Sequence, residues 1–125
     1  FKSCFNFNQP LNNWNTSNVT NMREMFSANT NAFNQDISNW DFSGLNNANS
    51  LRTFFQTQTS ATYDATYYDN LLIKWASSPS VGGLQPNIIG FIDMGSIKYT
   101  ANGAAARASI LANNKAVTIN DGGQI

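Results

Sequence analysis

Two stretches, Phe7-Asn-Gln-Pro-Leu-Asn-Asn-Trp14 and Phe33-Asn-Gln-Asp-Ile-Ser-Asn-Trp40, carry one pattern 26 residues apart. Aligning residues 7–25 with 33–51 gives seven identities in 19 positions, where about one or two would arise by chance, so the repeat is genuine. Residues 1–6 resemble residues 26–32, the end of the same unit. The sequence therefore predicts a partial repeat at 1–6 and repeats at 7–32 and 33–56, with further repeats upstream in the same chain.

The apolar spacing changes within each unit. Alternation from Gln9 to Asn13 predicts a short strand. The apolar residues that follow have helical spacing, at Val19, Met22, Met25 and Phe26. Residues 16–18, Thr-Ser-Asn, are typical of a helix start. Because one such unit cannot bury its apolar face alone, the expected fold is α/β, a solenoid of short strand-turn-helix repeats with an irregular α/β C-terminal cap.

Asparagine is unusually common, at 20 of 125 residues. Asn13 recurs at Asn39 and Asn21 at Asn47, one repeat later. Stacked amides can bond to their own turn and to the next repeat, so a structural role is favoured for these positions over ligand binding.

The two quoted stretches, with Thr16-Ser-Asn-Val-Thr-Asn-Met22 and Met25-Phe26, resemble the repeat of BspA-like leucine-rich-repeat bacterial surface proteins. The resemblance covers about residues 1–56 and implies that the solenoid is leucine-rich-repeat-like and belongs to a secreted or surface-anchored adhesin, extracellular or at the cell surface. The second copy departs after Ser43, where Gly44, Ala48 and Arg52 replace the expected residues. This departure is typical of a degraded last repeat near the end of an array.

Residues 57–125 lose the 26-residue period and are predicted to cap the repeats within the same continuous domain. Apolar spacing predicts a helix over Tyr68–Trp75, with Asp69 in its first turn. The other elements predicted are a strand at 88–92, an Ala-rich helix at 104–111 and a strand at 117–119. Residues 68–123 also resemble the segment that follows BspA-like repeats.

Composition excludes several functions. Seven basic and seven acidic residues give zero net charge without a basic run, so no nucleic acid is expected as a partner. No apolar stretch is long enough for membrane insertion. The chain has no His, and its single Cys4 therefore lacks an imidazole base. We expect no enzyme, no catalytic residue, no cofactor and no metal site, although Asp and Asn oxygens leave calcium as a minor alternative.

The favoured function is a non-catalytic repeat module that binds a protein or glycan on another cell or surface. The candidate binding surface comprises Asn12, Trp14, Asn15, Ser38, Trp40 and Asp41. For the two tryptophans, the favoured interpretation is packing in the core, because a buried Trp contributes much apolar area. The alternative is that both rings are exposed and form an aromatic ladder that binds a sugar or a protein. The amides expected to be most free for a partner are those of Asn12, Asn15, Asn29 and Asn31. The alternative function is a spacer and end-cap of a longer surface or virion fibre, without a ligand of its own.

Overall fold

The computed structural model describes residues 1–28 and 32–125. Helix α1 spans Ala65–Ala76, a 3₁₀ turn spans Pro79–Val81, strand β1 spans Ile89–Asp93, helix α2 spans Ala101–Ala112 and strand β2 spans Ala116–Asn120. The two strands pair in parallel, from Ile89 opposite Ala116 to Asp93 opposite Asn120, with α2 connecting them. The four elements predicted after residue 57 are confirmed, with boundaries shifted by a few residues.

The predicted solenoid of strand-turn-helix repeats is wrong. Over residues 1–28 and 32–64 the backbone forms turns and isolated bridges, with neither a helix nor a named strand. The regular structure described is two helices and one two-stranded parallel sheet. The strand expected at 9–13 and the helix expected at 19–26 are both absent from this architecture.

Short turns explain the misleading apolar spacing. The N–H of Val19 donates to the carbonyl of Thr16 at 3.0 Å, and that of Met25 donates to Met22 at 3.1 Å. Turns closed over three residues bring every third side chain to the same side, as a helix does. The pattern therefore identified the buried residues Met22 and Phe26 but not the backbone conformation. Thr16 caps no helix; its hydroxyl bonds to the backbone of Asp41.

Neighbouring repeats are joined through their backbones. Three N–H groups of the first repeat donate to carbonyls in the second, from Met22 to Ser50, Glu24 to Arg52 and Phe26 to Phe54, at 3.0 to 3.1 Å. The Phe26 ring stacks on Phe55 at 5.0 Å, and Glu24 and Thr53 share a left-handed backbone, with φ of 59° and 53°. Phe26 and Phe55, like Glu24 and Thr53, are 29 residues apart rather than 26, which places an insertion of three residues in the second copy after Asn47.

The second half of the chain shares one core with the repeats. Leu51 forms a parallel bridge with Ile92 of β1, and the Asp93 N–H donates to the Leu51 carbonyl at 3.2 Å. The Phe42 ring meets Trp75 of α1 edge-on at 5.7 Å, with both side chains fully buried. The sheet and α1 thus pack directly on the last repeat, which matches the position expected of a cap.

Helix α1 begins earlier than its apolar pattern indicated. Asp64 is its N-cap and accepts from the Thr66 N–H at 2.7 Å, which stabilises the first turn. Asp69, expected in the first turn, is buried in mid-helix and accepts from the Thr100 N–H at 2.8 Å. Asp69 therefore fixes the start of α2 against α1, because Thr100 is the N-cap of that second helix.

Candidate functional site

Two adjoining cavities lie where α1 packs beside the turns of the repeats. The larger has a volume of about 370 Å³ and is lined by Ser38, Asn39, Asn70, Ile73, Lys74, Ser77 and Val81. The smaller has a volume of about 300 Å³ and is lined by Asn12, Gln35, Asp36, Asn39 and Tyr67. Asn39 lines both cavities. We call the combined depression, defined by these residues, the amide groove.

Repeat geometry positions the first wall of the groove. Asn12 and Ser38 occupy equivalent places in turns closed by Trp14 N–H to Leu11 and Trp40 N–H to Ile37, at 3.1 and 3.0 Å. The buried Trp40 indole donates from Nε1 to the Leu11 carbonyl at 2.8 Å, which holds the two turns together. The groove therefore takes its polar tips from two successive repeats.

Three contacts fasten α1, the other wall, to the second repeat. The Asp64 N–H donates to Asn34 Oδ1 at 2.9 Å, just before the helix begins. The Tyr63 hydroxyl donates to the Gln35 carbonyl at 3.0 Å. Within the groove itself, Asn70 Nδ2 donates to Asp36 Oδ2 at 2.9 Å. These three hydrogen bonds within the protein position this wall of the groove.

The polar groups of the groove divide into occupied and available ones. Both Asp36 oxygens accept hydrogen bonds, Oδ1 from the Ser38 N–H at 2.9 Å and Oδ2 from Asn70. Lys74 Nζ donates to the Val81 carbonyl at 3.0 Å. Over the described ranges, the side-chain amides of Asn12 and Asn39 and the hydroxyl of Tyr67 form no hydrogen bond within the protein. These are the groups that can bond to a ligand.

Apolar surface borders the larger cavity. Ile73 is 50% exposed and Val81 is 60% exposed, so each presents half or more of its surface to solvent. They lie beside Asn70 and Lys74 in the same lining. The groove thus combines many hydrogen-bonding groups, among them the charged Asp36 and Lys74, with a limited apolar surface, so its lining is more polar than that of most small-molecule sites.

The structure separates the two tryptophans that the sequence treated alike. Trp40 is fully buried, whereas Trp14 is 48% exposed, and their rings stack at 6.1 Å with an interplanar angle of 4°. Core packing is confirmed for Trp40 and wrong for Trp14. An exposed ladder formed by both rings is also wrong, since only one of them reaches solvent.

The other predicted surface residues have separate positions. Asn12 and Ser38 line the groove. Asn15 and Asp41 do not; their Oδ1 atoms accept from the N–H groups of Ser17 and Ser43, at 3.1 and 2.8 Å, and close local turns. Asn29 and Asn31 lie outside the described residues.

The predicted asparagine network is correct at some positions. Asn21 and Asn47 accept from backbone N–H groups two residues later, at 2.9 and 2.8 Å. Contact with the next repeat comes from Asn8, whose Oδ1 accepts from the Asn34 N–H at 2.9 Å. Asn13 and Asn39, expected to bond in the same way, have no side-chain hydrogen bond to any part of the protein that the structure describes.

Sequence reasoning missed Asn39, Tyr67 and Asn70 as groove residues. Residues 70, 73, 74 and 77 share one face of α1 by their spacing, and this face was a usable signal. What it lacked was any indication that the face borders the repeat turns. Asn39 was interpreted as a structural amide because it recurs.

Neither metal chemistry nor a membrane span has a visible basis in the described ranges. Residues 1–28 and 32–125 contain no group of three His, Cys, Asp or Glu side chains placed to hold a metal ion. Within the same ranges, no helix has the length and apolar character needed to cross a membrane. Cys4 is exposed and free.

Comparison with known families gives one assignment. A family model described as "Mycoplasma protein of unknown function, DUF285" matches residues 1–77, more than half of the chain. The chain belongs to this family. The region matched to DUF285 contains both repeats and α1, and with them every lining residue of the amide groove except Val81. No curated protein and no solved structure matches the chain, and the BspA-like assignment is not confirmed.

Proposed function

We propose that the chain is a non-catalytic, surface-exposed repeat module that binds a protein or glycan on another cell or surface. The observation that carries the proposal is the amide groove, where the free amides of Asn12 and Asn39 belong to exposed residues. Asn39 shares the lining of the larger cavity with apolar Ile73 and Val81. Amides donate and accept at once, so such a surface recognises uncharged polar partners through geometry.

Rigidity supports binding at this place. The groove is built on the buried Trp40 and on contacts from Asn34 and Asp36 to α1, so its groups are positioned in advance. A preformed site loses little conformational entropy when it binds its partner. An amide-rich surface without such support would lose more of its binding free energy.

Charge and location are consistent with the proposal. The groove holds one carboxylate, at Asp36, and one ammonium, at Lys74, so it carries no strong field toward nucleic acid or anionic lipid. The resemblance of residues 1–56 to BspA-like surface proteins supports an extracellular or cell-surface location. Family membership supports a repeat protein without specifying a ligand.

A spacer and end-cap of a longer surface fibre is the second candidate. It is favoured by the continuity of the backbone contacts, which run from Met22 to Ser50 in the repeats and from Leu51 to Asp93 in the sheet. A continuous body joined by such hydrogen bonds can hold the parts on either side of it at a fixed distance. In this case the groove would have no partner, and its substitution would change nothing measurable in adhesion.

The test is adhesion of beads coated with the full chain to immobilised proteins, glycans and whole cells. Asn39→Ala should reduce adhesion at least about tenfold, a loss of about 1.4 kcal/mol. Asn13→Ala is the matched control, because Asn13 is exposed, occupies the equivalent repeat position and lies outside the groove lining. No adhesion to any surface would favour the spacer, whereas adhesion that survives Asn39→Ala unchanged would overturn the groove as the binding surface.

A further inference from the structure

We propose that the ligand of the amide groove is a neutral oligosaccharide that lies across both cavities, with one sugar ring in each. This inference rests on the proposed function and specifies its partner. It follows from the shape of the groove, from which of its polar atoms are free, and from where its apolar surface lies.

Shape favours a ligand of two linked units. The cavities, of about 370 and 300 Å³, meet at Asn39 rather than merging into one chamber. Each is near the lower end of the roughly 300 to 1,000 Å³ typical of small-molecule sites. A compact ligand would use one of them, whereas a linear ligand of two or more rings would pass Asn39 and use both.

The free atoms favour hydroxyl groups. Asn12 and Asn39 each present an amide that donates and accepts, and Tyr67 presents a hydroxyl that does both. Sugar hydroxyls likewise donate and accept, so adjacent hydroxyls on a ring can each find a partner. Asn70 has already committed its Nδ2 to Asp36, which leaves its Oδ1 as an acceptor directed by a fixed side chain.

Charge disfavours an acidic ligand. Asp36 places a carboxylate in the smaller cavity, where both of its oxygens already accept hydrogen bonds, from Ser38 and Asn70. The one ammonium in the lining, Lys74, is already bonded to the Val81 carbonyl. The Asp36 carboxylate would therefore repel a phosphate or a sugar acid, and Lys74 would have to give up its hydrogen bond to Val81 to bind one.

Apolar surface gives the larger cavity a different role from the smaller. Ile73 and Val81 border the larger one and can contact the C–H face of a sugar ring. The smaller cavity has Tyr67 as its main apolar contribution among polar neighbours. Hydrogen bonds at the ring edge should dominate there.

A folded protein partner matches the groove less well. Stable protein interfaces bury about 800 Å² on each partner and concentrate their energy in Trp, Tyr and Arg anchors. The groove contains Tyr67 but neither Trp nor Arg in its lining. The neighbouring exposed Trp14 lies outside both cavities.

The experiment is binding of the full chain to a panel of neutral monosaccharides, neutral linear di- to tetrasaccharides and acidic oligosaccharides, measured by calorimetry and glycan array. We expect neutral oligosaccharides to bind, monosaccharides to bind at least about tenfold more weakly, and acidic oligosaccharides to bind least. Asn39→Ala should weaken oligosaccharide binding at least about tenfold because Asn39 serves both cavities, and Tyr67→Phe should weaken it less.

Two controls keep the result interpretable. Asn13→Ala should leave binding unchanged, because Asn13 lies outside the groove lining. Circular dichroism and thermal unfolding should show that each variant folds. A preference for acidic sugars would overturn the inference.

The outcomes also separate this inference from the proposed function. Binding to a protein and to no sugar, lost with Asn39→Ala, would overturn the oligosaccharide while supporting a binding module. Binding to neither class would overturn both. Sugar binding that is insensitive to Asn39→Ala would place the ligand elsewhere and overturn the groove as its site.

Discussion

Trp40→Ala should destabilise the protein far more than Trp14→Ala, although the two residues occupy the same repeat position. Trp40 is fully buried, with its ring 6.3 Å from that of Phe26 and 6.4 Å from that of Phe42. Its indole also donates to the Leu11 carbonyl at 2.8 Å. Trp14 is 48% exposed and stacks against Trp40 on one face.

The magnitudes follow from burial. Removing a fully buried Trp costs about 3–5 kcal/mol through lost transfer free energy and the cavity left behind. That is a large share of a total stability of about 5–15 kcal/mol. Trp14 leaves no enclosed cavity and loses about half the area, so we expect about 1–2 kcal/mol. At about 4 °C for each kcal/mol, the melting temperatures should fall by roughly 12–20 °C and 4–8 °C respectively.

Trp40→Phe separates the hydrogen bond from the ring. The Leu11 carbonyl keeps its bond from the Trp14 N–H at 3.1 Å, so it is not left unsatisfied. We therefore expect a loss of about 1–2 kcal/mol. Urea unfolding followed by circular dichroism gives the free energies. Acrylamide quenching of fluorescence should affect Trp14 while Trp40 stays protected. Equal losses for the two Ala variants would refute the burial difference.

Three other perturbations test the fold. Asp121→Asn should lower the free energy of unfolding, measured in urea, by about 3 kcal/mol. The carboxylate of Asp121 is 2% exposed and accepts from Tyr68 Oη at 2.6 Å and from Arg107 Nε of α2 at 2.9 Å. A decrease of less than about 1 kcal/mol would contradict this prediction. Gly95→Ala should cost more than about 3 kcal/mol, because its Cβ would lie 2.6 Å from two carbonyl oxygens, whereas Gly123→Ala, also at positive φ but with nothing within 4 Å, should cost about 1 kcal/mol. Burial raises the pKa of Tyr63 and Tyr68, so the unfolded chain loses these two phenol protons at a lower pH than the folded chain does; the stability that depends on them is intact below about pH 10 and is lost as the pH rises further. Tyrosinate absorbance should show that both residues ionise only when the protein unfolds. Ionisation of Tyr63 or Tyr68 in the folded protein near pH 10 would disprove the prediction.

The second half of the chain was predictable because its patterns have one interpretation each. Tyr68–Trp75 has helical spacing and lies within α1, and the run at 88–92 is short, apolar and bounded by turn residues. Boundaries were less accurate. Asp64 caps α1 from outside the apolar pattern, so only the hydrogen bond to Thr66 reveals it.

The repeats were recognised correctly, but their backbone was not. A spacing of three residues is shared by α-helices and by successive tight turns, and the sequence cannot distinguish them when the N–H groups bond to the next repeat. The N–H groups of Met22 and Phe26 donate to the carbonyls of Ser50 and Phe54, so they are not bonded to the carbonyls four residues earlier, as they would be in an α-helix. The insertion after Asn47 was also missed. The 26-residue period places the equivalent of Phe26 at Arg52, but it is the ring of Phe55 that stacks on Phe26.

The amide groove could not be predicted from the repeat alone because half of it belongs to α1. The repeat turns supply Asn12 and Asn39, while the helix supplies Tyr67 and Asn70. Three hydrogen bonds bring these two sets into one surface, and the one inside the groove joins Asp36 to Asn70. The C-terminal half therefore does more than cover the last repeat. It turns solvated turn asparagines into one wall of a groove, and it is in this groove that we propose the uncharged, amide-rich turns recognise a ligand.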